Sequence, residues 1–177
     1  MNAFFKGWTE FSQVHLHTLS GSDTDESLRA MSCDFDEVKM FYGNTFEALA
    51  SSVDILAYLN NIKAGRDFDK FETLTLEKYL KLDKPGRNNA FHMNIAFSEL
   101  CEEWDNQVRN ASHHGSFRLN PKTQIISYEA GKGGSGSNQN MSYFNYLVRS
   151  TKLFLQLITI FRIELIMTEQ TNTNPPI

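Results

Sequence analysis

A chain of 177 residues is long enough for one domain with a sizeable core, and its 41% hydrophobic and 12% aromatic content excludes a disordered protein. The formal net charge of −4 argues against general electrostatic capture of nucleic acid. The charge is unevenly spread, because residues 1–106 contain 10 Lys/Arg and 18 Asp/Glu whereas residues 107–177 contain 7 and 3. An anionic ligand is therefore electrostatically reasonable in the C-terminal part.

The two cysteines, Cys33 and Cys101, cannot form a disulfide framework and belong to no CxxC pair. We expect both to be core thiols in a reducing, cytoplasmic compartment. The first ten residues lack the pattern of a signal peptide. The most apolar run, residues 153–167, is interrupted by polar side chains and is shorter than the ~20 residues of a membrane span, so we expect no membrane segment.

Apolar residues at spacings of three and four predict helices in the first half of the chain. The first helix is predicted over residues 3–18. A longer pattern covers residues 34–64, with Gly43 as a point of interruption and Gly65 as the C-terminal stop. A shorter helix is predicted over residues 74–82.

A turn over residues 83–86 precedes the next predicted helix, residues 88–113. Apolar residues recur in it at spacings of four, three, four and three, which makes one buried face. These residues are Phe97, Cys101, Trp104, Val108 and Ala111. Gly115 is a natural C-cap for this helix.

One β-like segment precedes the final helix. Residues 120–122 turn the chain, residues 123–130 contain the clear β-like run, and residues 131–137 form a flexible glycine-rich loop. The last helix, residues 141–169, is the most apolar. Its wide apolar arc fits either the centre of a bundle or a subunit interface.

These elements together predict an all-α fold, a helical bundle of about five helices with a short β-like insert before the last helix. We divide the chain into an N-terminal helical extension over residues 1–33, a bundle over residues 34–169 and a frayed tail over residues 170–177.

Common nucleotide and metal motifs do not fit this sequence. Gly131 and Lys132 are followed by glycine rather than Ser or Thr, so the glycine-rich loop is no Walker motif, although Lys132 could reach a phosphate from a mobile loop. The sequence contains no HExxH motif and no Cys/His cluster, and we expect no metal and no cofactor. A GxSxG nucleophile elbow is absent too.

The stretch R-N-A-S-H-H-G, residues 109–115, combines the groups that RNA cleavage through the ribose 2′-hydroxyl requires. Arg109 offers a fixed cation for the phosphate, Asn110 an amide, and His114 an imidazole that can move a proton near neutral pH. Asn110 and His114 are four residues apart and would share a helix face. The alternative interpretation is a polar helix end, where histidines are favoured by the helix dipole.

This stretch resembles the RxxxxH signature of HEPN domains, in its RNxxxH form. Its place at the end of a helix, before a short insert and an apolar final helix, extends the resemblance to residues 35–168. The resemblance implies a small helical bundle from prokaryotic defence or toxin systems. It also implies metal-independent RNA cleavage that leaves a 2′,3′-cyclic phosphate, and a homodimer that joins two motifs in one cleft.

By the same resemblance, Arg109 would bind the scissile phosphate, Asn110 would be the polar residue after the arginine, and His114 would transfer the proton. We expect further substrate contacts from neighbouring residues, namely Ser112, His113, Arg118 and Lys132.

Three features of the sequence leave alternatives open. Residues 87–92 also satisfy RNxxxH, but they lie at the start of a predicted helix rather than its end. His113 competes with His114, since it is four residues from Arg109. Ser116 stands where one HEPN subgroup carries a tyrosine that a partner enzyme modifies, so control of that kind is not expected.

The sequence thus leads to the hypothesis of an endoribonuclease of HEPN type in phage defence or a toxin system. We expect it to act as a homodimer on RNA, with an antitoxin or activating protein as a further partner. The competing hypothesis is a non-catalytic HEPN-like module that binds a nucleotide or a partner protein.

Overall fold

The computed structural model describes residues 11–12, 14–16, 20, 28–30, 34–113, 115–131 and 136–171. Most of the predicted N-terminal extension, most of the glycine-rich loop and the end of the predicted tail lie outside these residues. Among the described residues of the first predicted helix, residues 11–12 and 14–16 are helical, and Phe11 is buried.

From residue 34 onward, the described residues form six α-helices, one 3-10 helix and three strands, so the protein is mainly helical. The expected all-α class is corrected by the strands, which pair into a small antiparallel sheet. The elements are α1 (Phe35–Ser52), α2 (Asp54–Lys63), α3 (Leu76–Leu80), the 3-10 helix (Lys84–Ala90), α4 (Ile95–Glu99), α5 (Asn106–His113), β1 (Arg118–Asn120), β2 (Ile125–Glu129), β3 (Asn138–Ser142) and α6 (Tyr143–Thr171).

The long helix predicted over residues 34–64 is divided at Val53 and not at Gly43, which stays inside α1. Gly65 ends α2 as predicted. It adopts a left-handed backbone with φ of 74°, and the N–H of Arg66 donates to the carbonyl of Asn61 across it.

The single helix predicted over residues 88–113 is wrong. This stretch contains the end of the 3-10 helix, α4 and α5, separated by turns. The spacing of apolar residues that predicted one helix continues across the break at Asp105. Turns can also direct apolar side chains toward the core, so this spacing does not require a continuous helix. The predicted turn over residues 83–86 is in fact the start of the 3-10 helix.

The sheet has the order β1-β2-β3, with both pairs antiparallel. Strand β2 confirms the predicted β-like run, and its Ile126 pairs with Leu119 and Met141. The predicted turn at residues 120–122 is confirmed, because Asn120 Oδ1 accepts from the backbone N–H groups of Lys122 and Thr123.

The chain forms two compact units. Unit 1 comprises Met1–Phe46 with Asp105–Phe154, and unit 2 comprises Glu47–Trp104 with Leu155–Ile177. Two of the three boundaries fall within α1 and α6, and the third lies just before α5. The core of unit 1 is rich in aromatic rings, with Phe117 5.1 Å from Tyr146 between ring centroids and Tyr42 5.3 Å from Tyr146.

Unit 2 has its own core, in which the rings of Phe71 and Tyr79 stack at 4.5 Å. Asn60 of α2 donates to the carbonyl of Ala90 at 3.0 Å and ties α2 to the 3-10 helix. Within the described part of the chain, no helix combines the length and the apolar character that crossing a membrane requires.

Candidate functional site

Helix α5 carries most of the predicted motif, and the carboxylate of Asp105 caps its start. Asp105 Oδ1 accepts from the N–H groups of Gln107 (2.9 Å) and Val108 (3.1 Å), and Oδ2 accepts from Arg149 Nη2 at 2.9 Å. Burial acts to raise the pKa of Asp105, but these hydrogen bonds and the Arg149 charge outweigh it and lower the pKa below its usual value. An ionised side chain therefore fixes the beginning of the motif helix.

The inner face of α5 is anchored in the core of unit 1 by Ser112. This side chain is only 5% exposed, and its hydroxyl donates to the carbonyl of Lys39 at 3.2 Å. A hydroxyl has one proton to donate, so Tyr146 is the donor in the 2.8 Å contact between the two hydroxyls. The anchor connects α5 to both α1 and α6.

Arg109 and Asn110 lie on the outer face of α5, and His113 lies against Gly43 of α1. Arg109 is half-buried, whereas Asn110 and His113 are exposed. Arg109 Nη1 donates to Asn110 Oδ1 at 2.8 Å, so the two side chains form one polar unit. His113 is one helical turn beyond Arg109, which places both on the same side of the helix.

The end of the motif is a glycine cap, as predicted. Gly115 has φ of 80°, and the N–H of Ser116 donates to the carbonyl of Ala111 at 3.2 Å. His114, the predicted proton-transfer residue, lies outside the described residues. The cap turns the chain directly into β1.

Of the remaining predicted substrate contacts, the structure describes Arg118 and Ser112. Arg118 is exposed on β1, opposite Ser127 of β2. Lys132 lies outside the described residues, but Gly131 just before it donates its N–H to Gln107 Oε1 on α5. Ser112 has its hydroxyl engaged in the core, so we leave it out of the proposed site.

The competing RNxxxH stretch, residues 87–92, lies in unit 2 and has a different environment. Arg87 Nη1 donates to both carboxylate oxygens of Asp54, at 3.2 and 3.0 Å. The Tyr79 hydroxyl donates to Asp54 Oδ1 at 2.9 Å. Burial, and then the Asp54 charge, raise the pKa of Tyr79 well above its usual value, so the phenol stays protonated. This arginine is part of a structural ion pair.

Nucleophilic cysteine chemistry finds no support in the described residues. Cys101 is buried as predicted, and burial raises the pKa of its thiol to about 12, so little thiolate forms at neutral pH. Cys33 lies outside the described residues. The described residues contain no group of three or more His, Cys, Asp or Glu side chains placed to hold a metal ion.

Sequence reasoning missed the residues that support the motif. Asp105 lies inside the helix predicted over residues 88–113, but it directly precedes α5, and an Asp just before a helical run is a standard N-cap signal. Gly43, a predicted point of helix interruption, instead lies inside α1 and against His113. No local signal connects residues 70 positions apart.

Comparison of the chain with protein-family models, with curated proteins and with solved structures finds no match.

Proposed function

We propose that this protein is a metal-independent endoribonuclease of HEPN type, acting in the cytoplasm as a homodimer in phage defence or a toxin system. The observation that supports this best is the polar unit of Arg109 and Asn110 on the outer face of a helix that is capped and anchored on its other sides. A fixed cation beside a histidine is what phosphate cleavage requires.

In the proposed reaction, a base removes the proton from the ribose 2′-hydroxyl. The 2′-oxygen bonds to phosphorus while the bond from phosphorus to the 5′-oxygen breaks, and an acid gives the leaving oxygen a proton. The products are a 2′,3′-cyclic phosphate and a 5′-hydroxyl. Arg109 stabilises the charge that builds on the phosphate oxygens, and His114 transfers a proton.

The homodimer rests on the HEPN resemblance and on the apolar surface of α6. Phe161, Leu165 and Ile166 are 40%, 60% and 49% exposed, and they lie within about two turns of one helix. Exposed apolar side chains grouped in this way favour a protein contact. Sedimentation of wild type and of a Leu165→Glu variant would measure the contact, and only wild type is expected to dimerise.

The test of the function is RNA cleavage in EDTA by wild type, Arg109→Ala and His114→Ala, with the product ends identified. His92→Ala is the matched control, since it removes a histidine from the second RNxxxH stretch. We expect cyclic phosphate ends from wild type and the control only. Equal cleavage by all four proteins, or none by dimeric wild type, would contradict the proposal.

Binding of a nucleotide is the second candidate function, and a cavity in unit 2 favours it. The cavity has a volume of about 440 Å³ and is lined by polar and aromatic side chains that include Asn60, Arg66, Phe71, Asn89 and His92. Ligand pockets commonly have about this size. Titration of wild type and Arg66→Gln with nucleoside monophosphates would detect such binding.

A further inference from the structure

Gly43 occupies a position in α1 where glycine is unfavourable. It is buried, and it lies in the middle of a regular helix that runs from Phe35 to Ser52. Glycine weakens a helix interior more than any residue except proline, because its backbone loses the most freedom on folding. A packing or functional requirement therefore has to explain it.

The requirement is the imidazole of His113. A Cβ atom built on Gly43 would lie 2.8 Å from His113 Nδ1, and 3.7 Å from Cε1 and Cγ. The first distance is shorter than real Cβ contacts, so the ring and any side chain at position 43 cannot both keep their places. Gly43 thus provides a backbone seat for the ring.

The backbone of His113 cannot easily yield to such a contact. The preceding residue, Ser112, is fixed to Lys39 of α1 and to Tyr146 of α6 by its hydroxyl. A methyl group at position 43 would therefore be accommodated by rotation of the imidazole. His113 is nevertheless an exposed residue, so its ring rests on α1 and still meets solvent.

We propose that Gly43 is a positioning residue that seats the His113 imidazole beside Arg109, and that His113 carries one of the two proton transfers in RNA cleavage. This inference rests on the proposed function. Cleavage through the 2′-hydroxyl needs one group to accept a proton and another to donate one, and His113 would be one of these two groups.

The experiment compares single-turnover RNA cleavage and urea unfolding for wild type, Gly43→Ala, His113→Ala and the double variant. Asn44→Ala is the matched control, because residue 44 is exposed on the same helix. Misplacement of a reacting group by about 1 Å can cost about 100-fold in rate, so we expect Gly43→Ala to lose roughly 10-fold to 100-fold in kcat with KM unchanged. Its free energy of unfolding should change little, because the higher helix propensity of alanine offsets the cost of displacing the imidazole.

The double variant separates positioning from a general structural effect. If Gly43 acts through His113, the double variant cleaves at the rate of His113→Ala alone. The double variant also tests the proposal if Gly43→Ala alone does not fold, because removal of the His113 ring makes room for the methyl group. Independent losses that multiply in the double variant would overturn the proposal, as would full activity of Gly43→Ala.

Failure of the proposed function gives a different result. Wild type that does not cleave RNA overturns the role of His113 together with the ribonuclease itself. A cleaving wild type with an equally active Gly43→Ala overturns the positioning alone. A nuclear magnetic resonance signal of the His113 ring that moves in Gly43→Ala, while that of His92 stays fixed, supports the seat without reference to activity.

Discussion

The two RNxxxH stretches of this chain have the same spacing and opposite environments. Residues 87–92 begin within a 3-10 helix of unit 2, where Arg87 donates to the carboxylate of Asp54. Residues 109–114 begin in α5 of unit 1, where Arg109 donates to the neutral amide of Asn110. The nearest preceding carboxylate, Asp105, pairs with Arg149.

The spacing of a short motif therefore does not determine its role. A guanidinium bound to a partly buried carboxylate contributes to folding. Removal of the guanidinium leaves the carboxylate partly buried without its counter-charge. A guanidinium next to an amide at a helix end can still serve a phosphate. The ion pair of Arg87 with Asp54 therefore argues against residues 87–92 as the candidate site.

The largest expected effect is the loss of RNA cleavage when the histidine at the end of the candidate stretch is removed. Removal of the histidine at the end of the other stretch is the comparison. His114→Ala should lower the cleavage rate by about 10²–10⁴-fold, the usual contribution of general acid–base catalysis. His92→Ala should change it by less than about threefold, since His92 is an exposed residue whose Nδ1 lies 2.8 Å from the carbonyl of Asn89. Single-turnover kinetics would measure both, and a larger loss in His92→Ala would reverse the comparison.

The next effect is on stability, and it belongs to Arg87. Its side chain is 18% exposed and that of Asp54 is 22% exposed. Arg87→Ala should lower the free energy of unfolding by roughly 1–3 kcal/mol, less than the ~3–5 kcal/mol of a fully buried pair. Urea denaturation of both single variants and the double variant with Asp54→Ala gives the coupling. If the losses in free energy of unfolding are additive in the double variant, the ion pair between Arg87 and Asp54 does not stabilise the fold.

A smaller effect is expected at the start of α5. Asp105→Ala removes both the helix cap and the partner of Arg149, and should cost about 1–2 kcal/mol of stability. Asp105→Asn should cost less, because asparagine is also a good N-cap residue. Thermal or urea unfolding would rank the two, and equal losses would mean that capping contributes nothing.

The smallest effect is the dependence of that stability on pH. The pKa of Asp105 is lowered in the folded protein, so its charge stabilises the fold above the unfolded pKa of about 3.9. The stabilisation is lost as the pH falls through the lower folded pKa. The stability difference between wild type and Asp105→Asn should therefore be constant near neutral pH and shrink below about pH 4. A difference that does not shrink at all as the pH is lowered below about 4 would contradict this assignment.

Elements that depend on local signals could be predicted from the sequence. Gly65 and Gly115 end helices because each lies just after an apolar periodic stretch, and both have positive φ. Strand β3 could not be predicted, since its Asn and Gln residues favour turns and it is held by pairing with β2. Asn94 and Asp105 begin new helices inside a pattern that periodicity alone makes continuous.

The candidate site also combines features that the sequence predicts with features that depend on tertiary contacts. The residue types at Arg109, Asn110 and His114 could be identified from spacing and chemistry. The seat of His113 on Gly43 and the buried hydroxyl of Ser112 could not, because each joins α5 to a distant part of the chain. Contacts of this kind follow from tertiary packing, which a single sequence does not display.

Under the proposed function, only the stretch from Arg109 to His114 cleaves RNA. The most direct test is the cleavage rate of Arg109→Ala against Arg87→Ala in EDTA, measured at a temperature where both are folded. We predict a loss of about 10²–10³-fold in Arg109→Ala and less than about threefold in Arg87→Ala. Equal rates for the two variants, or a loss confined to Arg87→Ala, would contradict the account.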